Sequence, residues 1–446
     1  MAHDARGEVL IIGAGPAGLA VSHGYRGRSR ILERDDEVGG LCRSIEFGGG
    51  VFDIGGHSFH SPHPEVLALV DRLMAGRWHT QPRDARVFHD GQLIDYPFQQ
   101  HFQQLRDPAI VADCRRHLPS PGAAVSADNF EDWIVQRFGA GVARHFMLPY
   151  NRKLWARDLR RMSCEWVGQR IAGGEAGAPS ATTPERRPLQ SRDEVGYPAD
   201  GGFVEIYRAR ARQAGPIEFG RAVVAIDPAA RTVRTGDGQV WPWDRLVSTM
   251  PLPALLRATL GCPPELIVEA GRLEFVSLKV LMILVGRPLG DQPQRVYVAD
   301  PAIPTHKAAF NHTASPSLRR RPAHAVMCEI AYSQDKRLAP DEDLERVTVD
   351  WLVDAGLIGD RADVAETRML DIAYGYPVYT PERPRILERI RAYLEPLGIF
   401  TLGRFGAWEY VNSDNCLWQG ARLADRLMAG EARHAPDSGA ALATPR

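Results

Sequence analysis

The stretch from Val9 to Glu33 constrains what this chain can fold into more than any other. Val9-Leu10-Ile11-Ile12 is an uncharged apolar run, and Gly13-Ala14-Gly15-Pro16-Ala17-Gly18 follows it directly. Leu19-Ala20-Val21 suits a helix, and Ile31-Leu32 is a second apolar run ending on Glu33. Strand, glycine turn, helix, strand and acidic cap is the layout of a dinucleotide site. Gly13 permits the tight turn, Gly15 lets the backbone approach a pyrophosphate, and Gly18 lets helix and strand pack closely. The pyrophosphate would sit at the helix N-terminus, where unpaired N–H groups and the dipole favour an anion. Glu33 is spaced to accept both ribose hydroxyls.

Bulk properties exclude several classes. At 446 residues the chain exceeds one ordinary domain. A net charge of −1 gives a nucleic acid no favourable field. The cysteines (Cys42, Cys114, Cys164, Cys262, Cys328, Cys416) are scattered, which fits buried thiols in a reduced compartment and neither a disulfide frame nor a zinc site. His57, His60 and His63 would line one helix face, but Pro62 and Pro64 break that helix, so no metal is expected. The N-terminus is too polar for a signal peptide and no eighteen-residue apolar run exists, so a cytoplasmic protein without a membrane span is expected. Only four of the 54 basic residues are lysine (Lys153, Lys279, Lys307, Lys336), a bias that suggests a GC-rich bacterial genome. No feature reports the oligomeric state.

Two more glycine pairs follow the fingerprint, Gly39-Gly40-Leu41 and Gly55-Gly56-His57. They resemble flavoproteins of the amine-oxidase type and point to FAD over a nicotinamide. Residues 64–74 read as an amphipathic helix, 86–94 as a hairpin turning on Asp90-Gly91, and 126–171 as mostly helical. Residues 173–195 have no period and many breakers, and a mobile lid is expected there. A helix over 204–213, a small antiparallel meander over 222–234 and a strand near 246–250 come next. Residues 276–285 and 325–332 read as strands of a second sheet, and 400–406 as a return to the cofactor. The tail from 431 is expected to fray.

Several stretches, in order, resemble the UDP-galactopyranose mutase family, closer to its eukaryotic-type members. They are Gly55-Gly56-His57, Tyr96-Pro97-Phe98-Gln99, Pro149-Tyr150-Asn151-Arg152-Lys153-Leu154-Trp155, Trp166-Val167-Gly168-Gln169-Arg170, Gly375-Tyr376-Pro377 and Gly403-Arg404-Phe405-Gly406-Ala407-Trp408-Glu409-Tyr410. The resemblance implies an α/β fold: an FAD-binding Rossmann-like domain of the glutathione-reductase type, an inserted helical domain and an antiparallel-sheet substrate domain. Residues 1–75, 201–265 and 396–430 would bind FAD, 76–200 would hold the hairpin, helical insertion and flap, and 266–395 the substrate sheet, with 431–446 a flexible tail. It also implies a non-redox pyranose–furanose interconversion of a nucleotide-diphosphate sugar, in which reduced flavin attacks the anomeric carbon through N5. NAD(P)H is a candidate reductant.

The same resemblance assigns roles. Gly13, Gly15, Ala17, Gly18, Glu33, Arg34, Gly40, Leu41, Gly56, His57, Val224, Gly403, Arg404, Asn412 and Leu417 would hold FAD. Tyr96, Phe98 and Gln99 would form the uracil pocket, Phe98 by stacking. Phe146, Asn151, Trp155 and Arg170 would line the nucleotide and phosphate path, and Tyr297, Tyr376 and Tyr410 would donate hydroxyls to the diphosphate. Arg170, Lys307, His57 and Arg404 would be the catalytic set. Lys307 stands where the family has a second diphosphate-binding arginine, and Arg192 or Asp193 where it has a sugar-binding asparagine. The sugar, or the reaction, is therefore expected to differ from galactose ring contraction. Blander readings stand beside these: Phe146, Trp155, Tyr376 and Tyr410 also suit a plain core, Gln99 a helix cap, Arg170 a surface ion pair and Lys307 solvent. Redox chemistry on a nucleotide sugar or secondary metabolite is the alternative function, and a binding protein with structural FAD a third.

Overall fold

The computed structural model describes residues 7–25, 27–120, 124–167 and 194–430. The apolar run at the start becomes the strand Glu8–Ile12, buried on both faces as central parallel strands are. It lies in a five-stranded parallel sheet, in the order Ile399–Thr401, Arg245–Ser248, Glu8–Ile12, Arg28–Leu32, Ile217–Glu218. Three well-separated stretches of chain therefore meet in one sheet. The helix Pro16–Gly24 starts with proline in its first turn, where the missing N–H is no loss. The last helix, Ser413–Ala429, crosses it at near backbone contact. A Cβ on Gly420 would come within 2.5 Å of Ala20 Cβ and 2.6 Å of the Ala17 carbonyl. Asn412 is the residue that precedes this last helix.

The second sheet has seven strands, in the order Val364–Pro377, Phe275–Val285, His324–Tyr332, Lys307–Phe310, Arg295–Val298, Ala85–His89, Gln92–Asp95. All neighbours are antiparallel except Arg295–Val298 beside Ala85–His89. The expected hairpin turns on Asp90 and Gly91, both left-handed, and joins this sheet. Phe275–Val285 is apolar but for Ser277 and Lys279 and sits between two neighbours. Val364–Pro377 is the edge and turns Glu366, Arg368 and Asp371 outward, which discourages pairing with another chain.

The helices Pro108–Arg116, Phe130–Val142 and Leu148–Trp155 pack beside the hairpin around Phe98, Phe130, Phe138 and Trp155. A π-helical turn, Ala143–Met147, leads into the last of these. The meander appears as Val223–Asp227, Thr232–Thr235 and Val240–Pro242. Of the lid expected over 173–195 only Glu194 and Val195 are described; they open the strand Glu194–Pro198, which pairs with Trp78–Pro82. No described helix is long and apolar enough to cross a membrane.

Candidate functional site

The nucleotide end is built by the glycine turn. Gly13 is left-handed at φ +103°, and its N–H donates to the Leu32 carbonyl at 2.8 Å. A Cβ on Gly18 would lie 2.0 Å from the Gly13 carbonyl oxygen, so only glycine closes the turn onto the helix. A Cβ on Gly15 would meet nothing within 4 Å, while Gly40 approaches its Cα. These glycines bound an open cradle at the helix N-terminus. Glu33 is buried, and its carboxylate accepts the N–H groups of Ala14 at 2.7 Å and Asp35 at 3.0 Å. Those bonds fix the orientation of the carboxylate.

The opposite end is built by Gly55-Gly56-His57 against the second sheet. Gly55 is left-handed at φ +82°, and a Cβ there would fall 2.6 Å from Glu329 Oε1. The Gly56 N–H donates to the same oxygen at 3.0 Å. Lys307 Nζ lies 2.7 Å from Glu329 Oε1, the Tyr376 hydroxyl donates to Oε2 at 3.1 Å, and His306 Nε2 stands 3.6 Å from Oε2. Burial works to raise the Glu329 carboxyl, but Lys307 and His306 outweigh it and hold it well below the ordinary range. His57 stacks on Phe203 at 4.8 Å and leaves Nδ1 buried without a partner. Burial, reinforced by Lys307, lowers His57 to about 3, so its ring is neutral at working pH.

Arg404 and Arg295 bring charge without a carboxylate partner among the described residues. Arg404 donates to the Val411 carbonyl twice, at 2.9 and 3.0 Å, and to the Gly375 carbonyl at 3.2 Å. Its guanidinium lies 5.5 Å from the Tyr376 ring and 5.8 Å from the Tyr410 ring. Arg295 donates to Ser58 Oγ at 2.9 Å and to the Gly56 carbonyl at 3.2 Å. Farther out, Tyr96 and Tyr297 meet at 4.8 Å, and Arg83 sits over Tyr96 at 5.8 Å. Burial pushes the Tyr297 phenol up, but Arg83, Arg295 and Lys307 together hold it below the ordinary tyrosine value.

The family model for flavin containing amine oxidoreductases matches residues 22–371. The chain belongs to that family. It is 24% identical over 411 residues to a coproporphyrinogen III oxidase from Mycobacterium tuberculosis, a match covering 86% of this chain and 90% of that protein. Among solved structures, reduced UDP-galactopyranose mutase superposes with a TM-score of 0.84 at 28% identity, over 95% of this chain and 96% of that one. Cyclohexylamine oxidase from Brevibacterium oxydans IH-35A superposes at 0.69 with 16% identity, over 96% of this chain and all of the other, a likeness of fold alone.

A flavin enzyme of this family needs a cradle for the cofactor's pyrophosphate and an acceptor for its ribose. The open Gly15–Gly40 cradle, the oriented Glu33 and the orphaned His57 Nδ1 fit FAD in kind and in order. Ala17 and Gly403 line the same helix end, with a Gly403 Cβ falling 3.1 Å from Ala17 Cβ. Leu41 lies beside Gly40, partly exposed. Arg34, Leu417 and Val224 are placed differently. The Arg34 side chain is 76% exposed and reaches only Asp35, at 3.7 Å. Leu417 turns its side chain into the core under the nucleotide helix, and Val224 is half exposed on the meander, leaving each only its backbone for a cofactor.

In the outer pocket Phe98 has no exposed surface. It stacks on Phe146 at 4.9 Å, and Phe146 on Tyr150 at 5.2 Å, so the expected open stacking face is missing and Phe98 is part of the core. Gln99 is buried beside it. Asn151 donates to the Met147 carbonyl one helical turn back, which ties its amide to its own helix. Trp155 is buried against Trp166, Tyr410 and Tyr376, with its indole N–H unpaired. Tyr376 and Lys307 both point to Glu329 instead of standing free for a diphosphate. Arg170, Arg192 and Asp193 lie outside the described residues. Sequence reasoning missed Glu329, His306, Arg83, Arg295 and Phe203. Two of these left a signal: Glu329 is the lone charge in the apolar run 325–331, and Arg295 shares a strand face with Tyr297.

Proposed function

We propose that this chain is a flavin-dependent isomerase of the mutase type, acting on a nucleotide-diphosphate sugar, with a UDP-linked sugar other than galactose as first candidate. The observation that carries the reading is one row of the second sheet. Val87, Tyr297, Lys307 and Glu329 are successive cross-strand partners, so the aromatic pocket and the Gly55–His57 turn share one surface. The likeness to reduced UDP-galactopyranose mutase supports it. When bound, reduced flavin would supply the nucleophile for the sugar's anomeric carbon. The protein's part is binding and charge. Tyr96, Tyr297 and Gln99 would hold the base, Arg404 and Arg295 the departing diphosphate, and Tyr410 and Trp155 would wall out water. Neutral His57 would border the flavin without competing for its protons. NAD(P)H is the proposed reductant.

A second reading, oxidation of a secondary metabolite, is favoured by one observation. Lys307 and Tyr376 are tied to Glu329, which weakens the phosphate grip. It also agrees with the oxidase name of the mycobacterial relative. The test is turnover of UDP-galactopyranose and other nucleotide sugars by the reduced holoenzyme, with products separated by chromatography and oxygen followed in parallel. A ring isomer formed only after reduction, without oxygen uptake, is expected. Stoichiometric flavin reduction by substrate, with no ring isomer, would sink the isomerase.

A further inference from the structure

The Glu329 carboxylate is a buried charged group that no motif predicted. Lys307 and Glu329 are directly opposite in the antiparallel pair of Lys307–Phe310 with His324–Tyr332, which puts both side chains on the face toward Gly56. Glu329 is 2% exposed and Lys307 15%. Around this carboxylate stand Lys307 Nζ at 2.7 Å, the Gly56 N–H at 3.0 Å, the Tyr376 hydroxyl at 3.1 Å and His306 Nε2 at 3.6 Å. An arginine at 307 could meet Glu329 with one edge and still show N–H groups to a phosphate. A lysine's compact ammonium presents no second edge.

We infer that Glu329 is a positioning residue that closes Lys307 and Tyr376 into a net-neutral buried cluster, so that Lys307 adds no net charge to the anion path. The charge that meets a ligand's phosphates then comes from Arg404 and Arg295, which have no carboxylate partner among the described residues. Glu329 thereby sets the specificity of the pocket, favouring ligands with less negative charge than a site with two free cations at this end would take. The inference rests on the proposed anion-binding role of the site.

The test measures binding of inorganic pyrophosphate and of UDP to oxidised holoenzyme by calorimetry, for wild type, E329Q, K307M and the double variant. Glutamine keeps the shape of Glu329 and an acceptor for the Gly56 N–H, so E329Q frees the lysine's charge with little change of shape. E329Q is expected to bind pyrophosphate about tenfold tighter, with a steeper salt dependence, and K307M about tenfold weaker. The double variant removes the pair without changing net charge and is expected within about threefold of wild type. A double variant as weak as K307M would mean that Lys307 grips the anion itself, and would overturn the inference. Should K307M fail to fold because it leaves a buried carboxylate unpaired, E329Q and the double variant still decide. Pyrophosphate bound by E329Q but UDP by no variant would uphold the inference while removing the nucleotide-sugar reading. No binding of either probe to any variant would end both.

Discussion

At Gly55 and Gly56 the backbone meets a carboxylate of its own chain. The sequence offered the pair as one more glycine turn of the flavoprotein kind, and the nearest atom to a Cβ at Gly55 belongs to Glu329. Gly55→Ala would combine a left-handed alanine with that clash, and a loss of about 2 kcal/mol is expected. Thermal melting and flavin content of purified protein check it, and an unchanged melting point would show that the turn can shift. Glu329 was visible in principle as the only charge between Ala325 and Ala331. What could not be read was its partner. Residues 307 and 329 lie on strands joined by a long connection, and register across such a loop depends on packing that no local pattern records.

Elements with local signals were legible. The glycine turn, the helix at 64–74, the Asp-Gly hairpin and the meander all carry their turn chemistry in adjacent residues. The long edge strand Val364–Pro377 was not foreseen, because its mixed charges follow no clear alternation. A second element beyond the reach of sequence is the loop after Ile399–Thr401. Trp408 is left-handed at φ +55°, unusual for so large a residue, and wholly buried. Arg383 holds it, donating to the Trp408 carbonyl at 2.8 and 2.9 Å and covering the Tyr379 ring at 4.1 Å. The Tyr379 hydroxyl in turn accepts the Tyr410 N–H at 3.0 Å. Arg383→Met is expected to cost about 3 kcal/mol and to loosen the loop that carries Arg404 and Tyr410. Flavin dissociation, followed by fluorescence on dilution, should speed up. Full flavin retention in a destabilised variant would limit the role of Arg383 to folding.

For the whole molecule, buried histidines set the response to acid. Burial lowers His57 and His312 to about 3 and His306 to about 4, all below the ordinary 6.5. Above pH 6.5 these groups are neutral whether the chain is folded or not, and contribute no pH dependence. Below it the unfolded chain takes up protons that the folded one refuses, removing at most about 1.4 kcal/mol per group per pH unit. Asp53 works the other way: burial raises it to about 6, so its folded form gains protons first as pH falls. Three histidines outweigh one such carboxyl, and Glu329, held below the ordinary 4.5, adds its own loss only at still lower pH. The melting temperature is expected to drop between pH 7 and 5. His312→Phe, which keeps a ring beside His324, should blunt the drop, and a flat profile for wild type would refute the assignment. The fold class was legible because three separate stretches each carried the marks of a nucleotide-binding sheet. The parallel contact of Ala85–His89 with Arg295–Val298 was not, since nothing local announces it. The antiparallel pairs that Lys307–Phe310 makes with Arg295–Val298 and with His324–Tyr332 make the second sheet a ruler. From Tyr297 across Lys307 to Glu329 is two strand spacings, about 10 Å in a hydrogen-bonded sheet that cannot stretch. A ligand that lies on Tyr297 and also reaches the Gly56 turn must span that length, so selection by reach precedes any choice among sugars.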